Sequence, residues 1–367
     1  MTVNPRLPTT PADVRSYLAV VMVLSLAGCQ TPQQRATEQS VQRWNEARAQ
    51  VKAKLASDQF VAGNIKAAAG ELAEARQLDP ANQTWTPLQA RIWLAQGDTG
   101  AAADLLDHTR LDGPAQAEVE YLRGVVCQQE QRWEESLTAF QSAAELDENE
   151  VAYVIAAAQV WLQLGRPQQA LQCLEASRTN FAWTNAYQAA LAECLEANGD
   201  WSGAASAWRR VTEVAADADI RERLAEALCR AGRYGEALPV LEDLLSASPA
   251  QQSPAVRLRL AEAQLAANQP NAARAQAQAV LHSDPGNSAA LLLLAQAWAA
   301  AGDTGAALRS VNRALQFDPQ NARALELAAA LEWAAGNVHA ARDRARRLDQ
   351  LDPGNSIAVH ISRLMSD

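Results

Sequence analysis

Apolar side chains recur along this chain at helical spacing, in short runs broken at a fixed interval. Between Ser288 and Asn321, Leu291, Leu294, Ala295 and Trp298 lie three and four residues apart, which gathers them on one face of a helix. The run breaks at Gly302-Asp303. Ala307, Leu308, Val311, Ala314 and Leu315 mark a second apolar face, closed by Asp318-Pro319, because proline lacks the amide hydrogen and clashes with the preceding turn. The pattern predicts a helical hairpin.

Two short helices cannot bury both their faces alone, so such a hairpin is stable only when copies stack. The copies are present. The break between helices falls at Gly63, Gly97, Gln131, Gly165, Gly199, Gly232, Asn268, Gly302 and Gly336, with successive spacings of 34, 34, 34, 34, 33, 36, 34 and 34 residues. Glycine suits the left-handed residue that commonly ends a helix, and Asn268 is the usual substitute. Five residues after each break sits a small residue (Ala68, Ala102, Ser136, Ala170, Ala204, Ala237, Ala273, Ala307, Ala341). Seven before it sits another (Ala56, Ala90, Gly124, Ala158, Ala192, Ala225, Ala261, Ala295, Ala329), so the paired helices can approach closely where these residues face each other. Pro80, Pro114, Pro249, Pro285, Pro319 and Pro353 close most units.

With these residues the chain resembles the tetratricopeptide repeat family from Ala49 to Asn355, in nine copies. The resemblance implies an all-α fold, a right-handed α-solenoid of stacked helical hairpins. Residues 40–355 would form it as one elongated stack, with Trp44 and Val51 on the packing side of an extended first helix, and residues 356–367 would add a capping helix. Pro239 lies inside a second helix, where it is expected to bend it.

Residues 1–28 read differently. Arg6 and Arg15 precede an apolar run from Tyr17 to Ala27, about 11 residues against the roughly 20 that span a bilayer, so the segment is expected to be an export signal. Leu26-Ala27-Gly28-Cys29 is similar to the lipobox of bacterial lipoproteins, which implies that Cys29 is acylated and becomes the new N-terminus; an ordinary secretion signal with a chance cysteine is the alternative. Gln30, where lipoproteins kept in the inner membrane often have Asp, points by the family rule to the outer membrane, facing the periplasm. Residues 29–39 would be the lipidated cysteine and a flexible tether.

Candidate chemistry is sparse. The remaining cysteines, Cys127, Cys173, Cys194 and Cys229, form no C-x-x-C pair and lack zinc spacing; buried thiols are expected, with a Cys173–Cys194 disulfide as the alternative in an oxidising compartment. His108, His282, His339 and His360 fall in separate regions and belong to no metal motif. No G-x-S-x-G, Walker loop or G-x-G-x-x-G occurs, so no catalytic residue, metal or cofactor is expected. A net charge of −10 offers no general basic face for nucleic acid.

The resemblance places the functional surface on the concave face, lined by first helices. There it puts Tyr121, Val125, Gln128, Gln129, Ile155, Gln159, Leu162, Glu193, Glu196, Glu222, Glu226, Leu258, Glu262, Leu265, Leu292 and Gln296. The centre of this list is acidic, with Arg230 as the nearest basic exception, so the expected partner is a basic or amphipathic segment of another envelope protein, anchored near Leu258 and Leu265. A carboxylate clamp of lysines and asparagines, found in some family members, is absent: the only lysines are Lys52, Lys54 and Lys66, and the asparagine position reads Ser57, Arg91, Val125, Gln159, Glu193, Glu226, Glu262, Gln296 and Ala330. The function expected is therefore a non-enzymatic, lipid-anchored scaffold for envelope complexes. A structural part of a polysaccharide-export apparatus is the alternative, which groove-exposed aromatics would favour.

Overall fold

The computed structural model describes residues 32–215, 217–247 and 253–364, whose regular structure is all helical, with no strand among the described residues. The segment expected to be an export signal and Cys29 lie outside them. The chain divides into two compact units, Met1–Asp147 and Glu148–Asp367. The residues at the division, Asp147-Glu148-Asn149-Glu150, are all polar and offer no apolar side chain to either core.

In the first unit the helices are Pro32–Val61 (α1), Ile65–Leu78 (α2), Thr86–Gln96 (α3), Thr99–Asp107 (α4), Gly113–Gln129 (α5) and Trp133–Leu146 (α6). In the second they are Val151–Gln163 (α7), Pro167–Ala176 (α8), the single turn Arg178–Phe181 (α9), Asn185–Ala197 (α10), Trp201–Thr212 (α11), Ala218–Arg230 (α12), Tyr234–Ala247 (α13), Pro254–Ala266 (α14), Pro270–Ser283 (α15), Ser288–Ala300 (α16), Thr304–Phe317 (α17), Ala322–Ala334 (α18), Val338–Leu351 (α19) and Ser356–Leu364 (α20). Pro239 sits within α13 without interrupting it.

The turns explain the period. At the two breaks without glycine, Gln131 and Asn268 adopt φ of 61° and 57°, so even the substituted turns keep the left-handed residue that stops the first helix. The residue after the break starts the second: Asp98, Asp200 and Asp303 accept hydrogen bonds from the amides of Ala101, Gly203 and Ala306 at 3.1, 2.9 and 2.8 Å, satisfying donors that the helix leaves orphaned. Asn287 and Asn321 cap α16 and α18 in the same way.

The small positions meet as the repeat requires. Ser136 on α6 donates to the carbonyl oxygen of Gly124 on α5 at 2.8 Å, and a Cβ at Gly124 would stand 2.5 Å from the Phe140 ring, so only glycine fits beside that aromatic. Ala295 and Ala307 are fully buried in one core with Leu291, Val311 and Leu325. Ala358 and Ile361 of α20 belong to the same core.

Two local expectations fail in α1. The helix begins at Pro32, so residues 32–39 are helical rather than a flexible tether; proline is tolerated in the first turn, where its missing amide costs nothing, and Gln33, Ala36 and Glu38 favour helix. Trp44 and Val51, expected on the packing side, are 65% and 68% exposed. The face of α1 turned to α2 is instead made of Ala49, Ala53 and Ala56, whose short side chains permit close approach.

Candidate functional site

Residues of the expected groove all fall on first helices of hairpins, and none is part of the fully buried core. Tyr121 and Gln128 lie on α5 in the first unit, where the Tyr121 ring stacks at a tilt on Phe140 with centroids 5.4 Å apart. The others belong to the second unit: Ile155 and Gln159 on α7, Glu193 and Glu196 on α10, Glu222 and Glu226 on α12, Leu258, Glu262 and Leu265 on α14, Leu292 and Gln296 on α16.

The acidic stretch is not a wall of one sign. Arg223 Nη1 lies 3.0 Å from Glu193 Oε1, and Arg259 reaches back from α14 to Glu222 at 2.9 Å and Glu226 at 2.6 Å. Arg230 Nε sits 3.2 Å from the other oxygen of Glu226. Glu196 accepts a hydrogen bond from Trp208 Nε1 at 2.6 Å, and the Arg223 guanidinium covers the same indole at 5.1 Å. Burial pushes the Glu196 carboxyl above its ordinary range, against the pull of that hydrogen bond and of Arg223. The four glutamates thus tie α10, α12 and α14 together, and their charge is largely consumed inside the protein. Arg223 and Arg259 join Arg230 as basic groups on this face, which corrects the expectation of an acidic groove with one exception.

Further along the same face the arrangement changes. Glu262, Ala289, Leu292, Leu293, Gln296, Arg323, Glu326, Leu327, Ala330 and Ile357 line an open cavity of about 460 Å³. Its floor is apolar. Its rim carries Glu262, Arg323 and Glu326, and none of these three forms an ion pair among the described residues. Leu258 and Leu265, expected as anchors, do not line it; they pack half-buried against the core. Arg323, Glu326, Leu327 and Ile357 were missed from the sequence, although the register held the signal: Glu326 stands 34 residues after Leu292, and Ala330 34 after Gln296.

No group of three His, Cys, Asp or Glu side chains among the described residues is arranged to hold a metal ion, and no described helix is long and apolar enough to cross a membrane. Cys127, Cys173, Cys194 and Cys229 are free thiols rather than a Cys173–Cys194 disulfide. Burial pushes Cys194 up to about 12 and Cys229 up to about 11, so both stay protonated and poorly nucleophilic at neutral pH.

Comparison with known proteins agrees with this geometry. The tetratricopeptide repeat family matches residues 228–297 and 265–331, and the N-terminal domain of the T7SS, ESX-1 secretion system protein EccA1 matches residues 82–230. The match to tetratricopeptide repeats thus spans residues 228–331. Among solved structures, the C-terminal part of a TPR repeat-containing protein from Cytophaga hutchinsonii is similar at 17% identity with a TM-score of 0.50, over 65% of this chain and 97% of that one. A tetratricopeptide repeat protein from Parabacteroides merdae is similar at 10% identity with a TM-score of 0.50, over 68% and 99%. At such identities the likeness is one of fold. No curated protein matches the chain.

Proposed function

We propose that this chain is a non-enzymatic interaction scaffold, anchored through an acylated Cys29 in the bacterial envelope and facing the periplasm, which takes an amphipathic segment of another envelope protein on the inner face of α14, α16 and α18. The observation that carries the reading is the cavity beside Leu292 and Arg323. At about 460 Å³ it falls within the roughly 300–1,000 Å³ of typical binding sites, and it sets an apolar floor beside charges that form no direct ion pair among the described residues. An apolar side chain of the partner would fill the floor, with a basic group toward Glu262 or Glu326 and an acceptor toward Arg323. Of the basic or amphipathic segment expected, the amphipathic form is favoured, because Glu193, Glu222 and Glu226 already hold arginines. The polysaccharide-export alternative gains nothing, since Tyr121 packs on Phe140 and Trp208 is buried.

A photo-crosslinking residue at position 296 tests the groove in living cells. The expected result is a crosslink to a defined envelope protein that disappears when Leu292→Glu places a charge on the cavity floor. Crosslinking that is unchanged in Leu292→Glu would refute the site. Anchoring is tested separately: Cys29→Ser should move the protein from the membrane fraction to the soluble one.

A further inference from the structure

Helix α1 presents two different faces. Ala49, Ala53, Ala56 and Phe60 turn toward α2. On the other side, Val41, Trp44, Val51 and Leu55 are 54, 65, 68 and 38% exposed. With Arg48 they recur at spacings of three and four residues, which makes a single stripe about 21 Å long at 1.5 Å per residue. A shallow hollow beside the stripe is lined by Trp44, Ala47 and Val51 together with Arg48 and Lys52. Arg43, Arg48 and Lys54 are exposed and form no ion pair among the described residues, whereas Lys52 is held by Glu71 and Glu74 at 2.7 and 2.8 Å. The stripe is therefore apolar, centred on a tryptophan and bordered along most of its length by uncommitted cations; its acidic neighbours are Glu38, which lines a hollow with Val41 at the near end, and Asp58, one turn beyond the far end.

We infer that this stripe is a membrane-interface surface, which lays α1 along an anionic phospholipid leaflet beside the anchor. The inference rests on the anchoring proposed above for its starting point. Only Gln30 and Thr31 separate Cys29 from Pro32, a reach of about 11 Å at full extension, so an acylated Cys29 delivers the first turn of α1 to the bilayer surface. An amphipathic helix lies in the plane of that surface when its apolar side carries Trp, Val and Leu and its borders carry Lys and Arg. Tryptophan favours the headgroup level, and Arg48 can bury its methylenes while its guanidinium reaches phosphate. Anionic headgroups supply the charge that Arg43, Arg48 and Lys54 lack. A second copy of the chain fits worse. In a parallel symmetric pair Arg48 would face its own copy, and four apolar residues over about 21 Å fall short of the roughly 1,200 Å² that a stable interface buries.

The test uses the full chain, purified from a bacterium that processes it and reconstituted into vesicles of phosphatidylethanolamine and phosphatidylglycerol with brominated acyl chains. Flotation reports anchoring, and quenching of tryptophan emission reports contact with the bilayer. The chain has ten tryptophans, so contact by Trp44 should quench about one-tenth of the emission in the wild type and none of that share in Trp44→Phe. The difference should shrink in Val41→Ser/Val51→Ser, and when phosphatidylcholine replaces phosphatidylglycerol. A protein that floats with no difference between wild type and Trp44→Phe would keep the anchor and overturn the inference. Failure of both flotation and quenching would overturn both readings. A vesicle-free dimer that Trp44→Glu converts to monomer would assign the stripe to a second copy and likewise overturn it.

Discussion

Two stretches of the same inner face use charge in opposite ways. From α10 to α14, Glu193, Glu222 and Glu226 are bridged by Arg223 and Arg259, each pair joining one repeat to the next. From α14 to α18, Glu262, Arg323 and Glu326 stand around an apolar cavity without such bridges. Half-buried charges that are paired hold helices in register and have little attraction left for a ligand. Burial pushes the Glu262 carboxyl above its ordinary range against the pull of Arg259, Arg323 and Arg230, so a direct contact from a ligand would relieve a carboxylate that no ion pair in the described residues satisfies. Composition alone would point to the first stretch as the binding site; pairing points to the second.

The sharpest way to break the comparison is to disturb the packing beneath the second stretch. Ala307 on α17 is fully buried in the core it shares with Ala295 on α16. Ala307→Leu should overpack that contact and cost about 1 to 3 kcal/mol. Because stability in stacked repeats is close to a sum of neighbour terms, faster hydrogen exchange should concentrate in α16 to α18 and leave α10 to α12 near wild type. Uniform acceleration would argue against this placement. The next effect is smaller and removes the bridges. Arg259→Ala leaves Glu222 and Glu226 without their shared partner and should cost about 1 kcal/mol in chemical denaturation, since these side chains are partly exposed and screened. It should also create the acidic patch that the wild type lacks, seen as new, salt-sensitive binding of a polylysine probe. Arg323→Ala, in the unbridged stretch, should change stability by no more than about 0.5 kcal/mol while weakening the crosslink from position 296. Equal destabilisation by the two substitutions would erase the distinction between the stretches.

Acid titration gives the finest discrimination, because two carboxylates of the second unit respond with opposite sign. Arg233 and Arg209 hydrogen-bond Glu236 and hold it at about 2, below the ordinary 4.5. Its contribution is present above 4.5 and is lost as pH falls toward 2, so Glu236→Gln should flatten that limb of the denaturation profile. Glu196 is shifted upward by burial, so the folded state holds its proton longer and stability falls as pH rises through and above 4.5. Glu196→Gln should remove that loss. Identical profiles for the two variants would show that neither environment survives in solution.

What the sequence by itself determined is local and periodic. The hairpins follow from apolar spacing of three and four, their ends from residues that accept a left-handed backbone, and their close approach from the small positions around each turn. The register is strong enough that Gln131 and Asn268 adopt φ of 61° and 57° where glycine is missing. Tertiary structure alone decided which charges remain available. Arg223 and Glu193 are 30 residues apart and Arg259 and Glu222 37, so their pairing depends on how far one repeat carries a long side chain toward the next, which no local pattern encodes. It also decided the orientation of α1. Apolar spacing put Trp44 and Val51 on the packing side, because periodicity registers large apolar residues and does not weigh a stripe of alanines against them. The alanine stripe packs on α2 because small side chains let two helix backbones come close, and that choice leaves Trp44, Val51 and their neighbours facing outward.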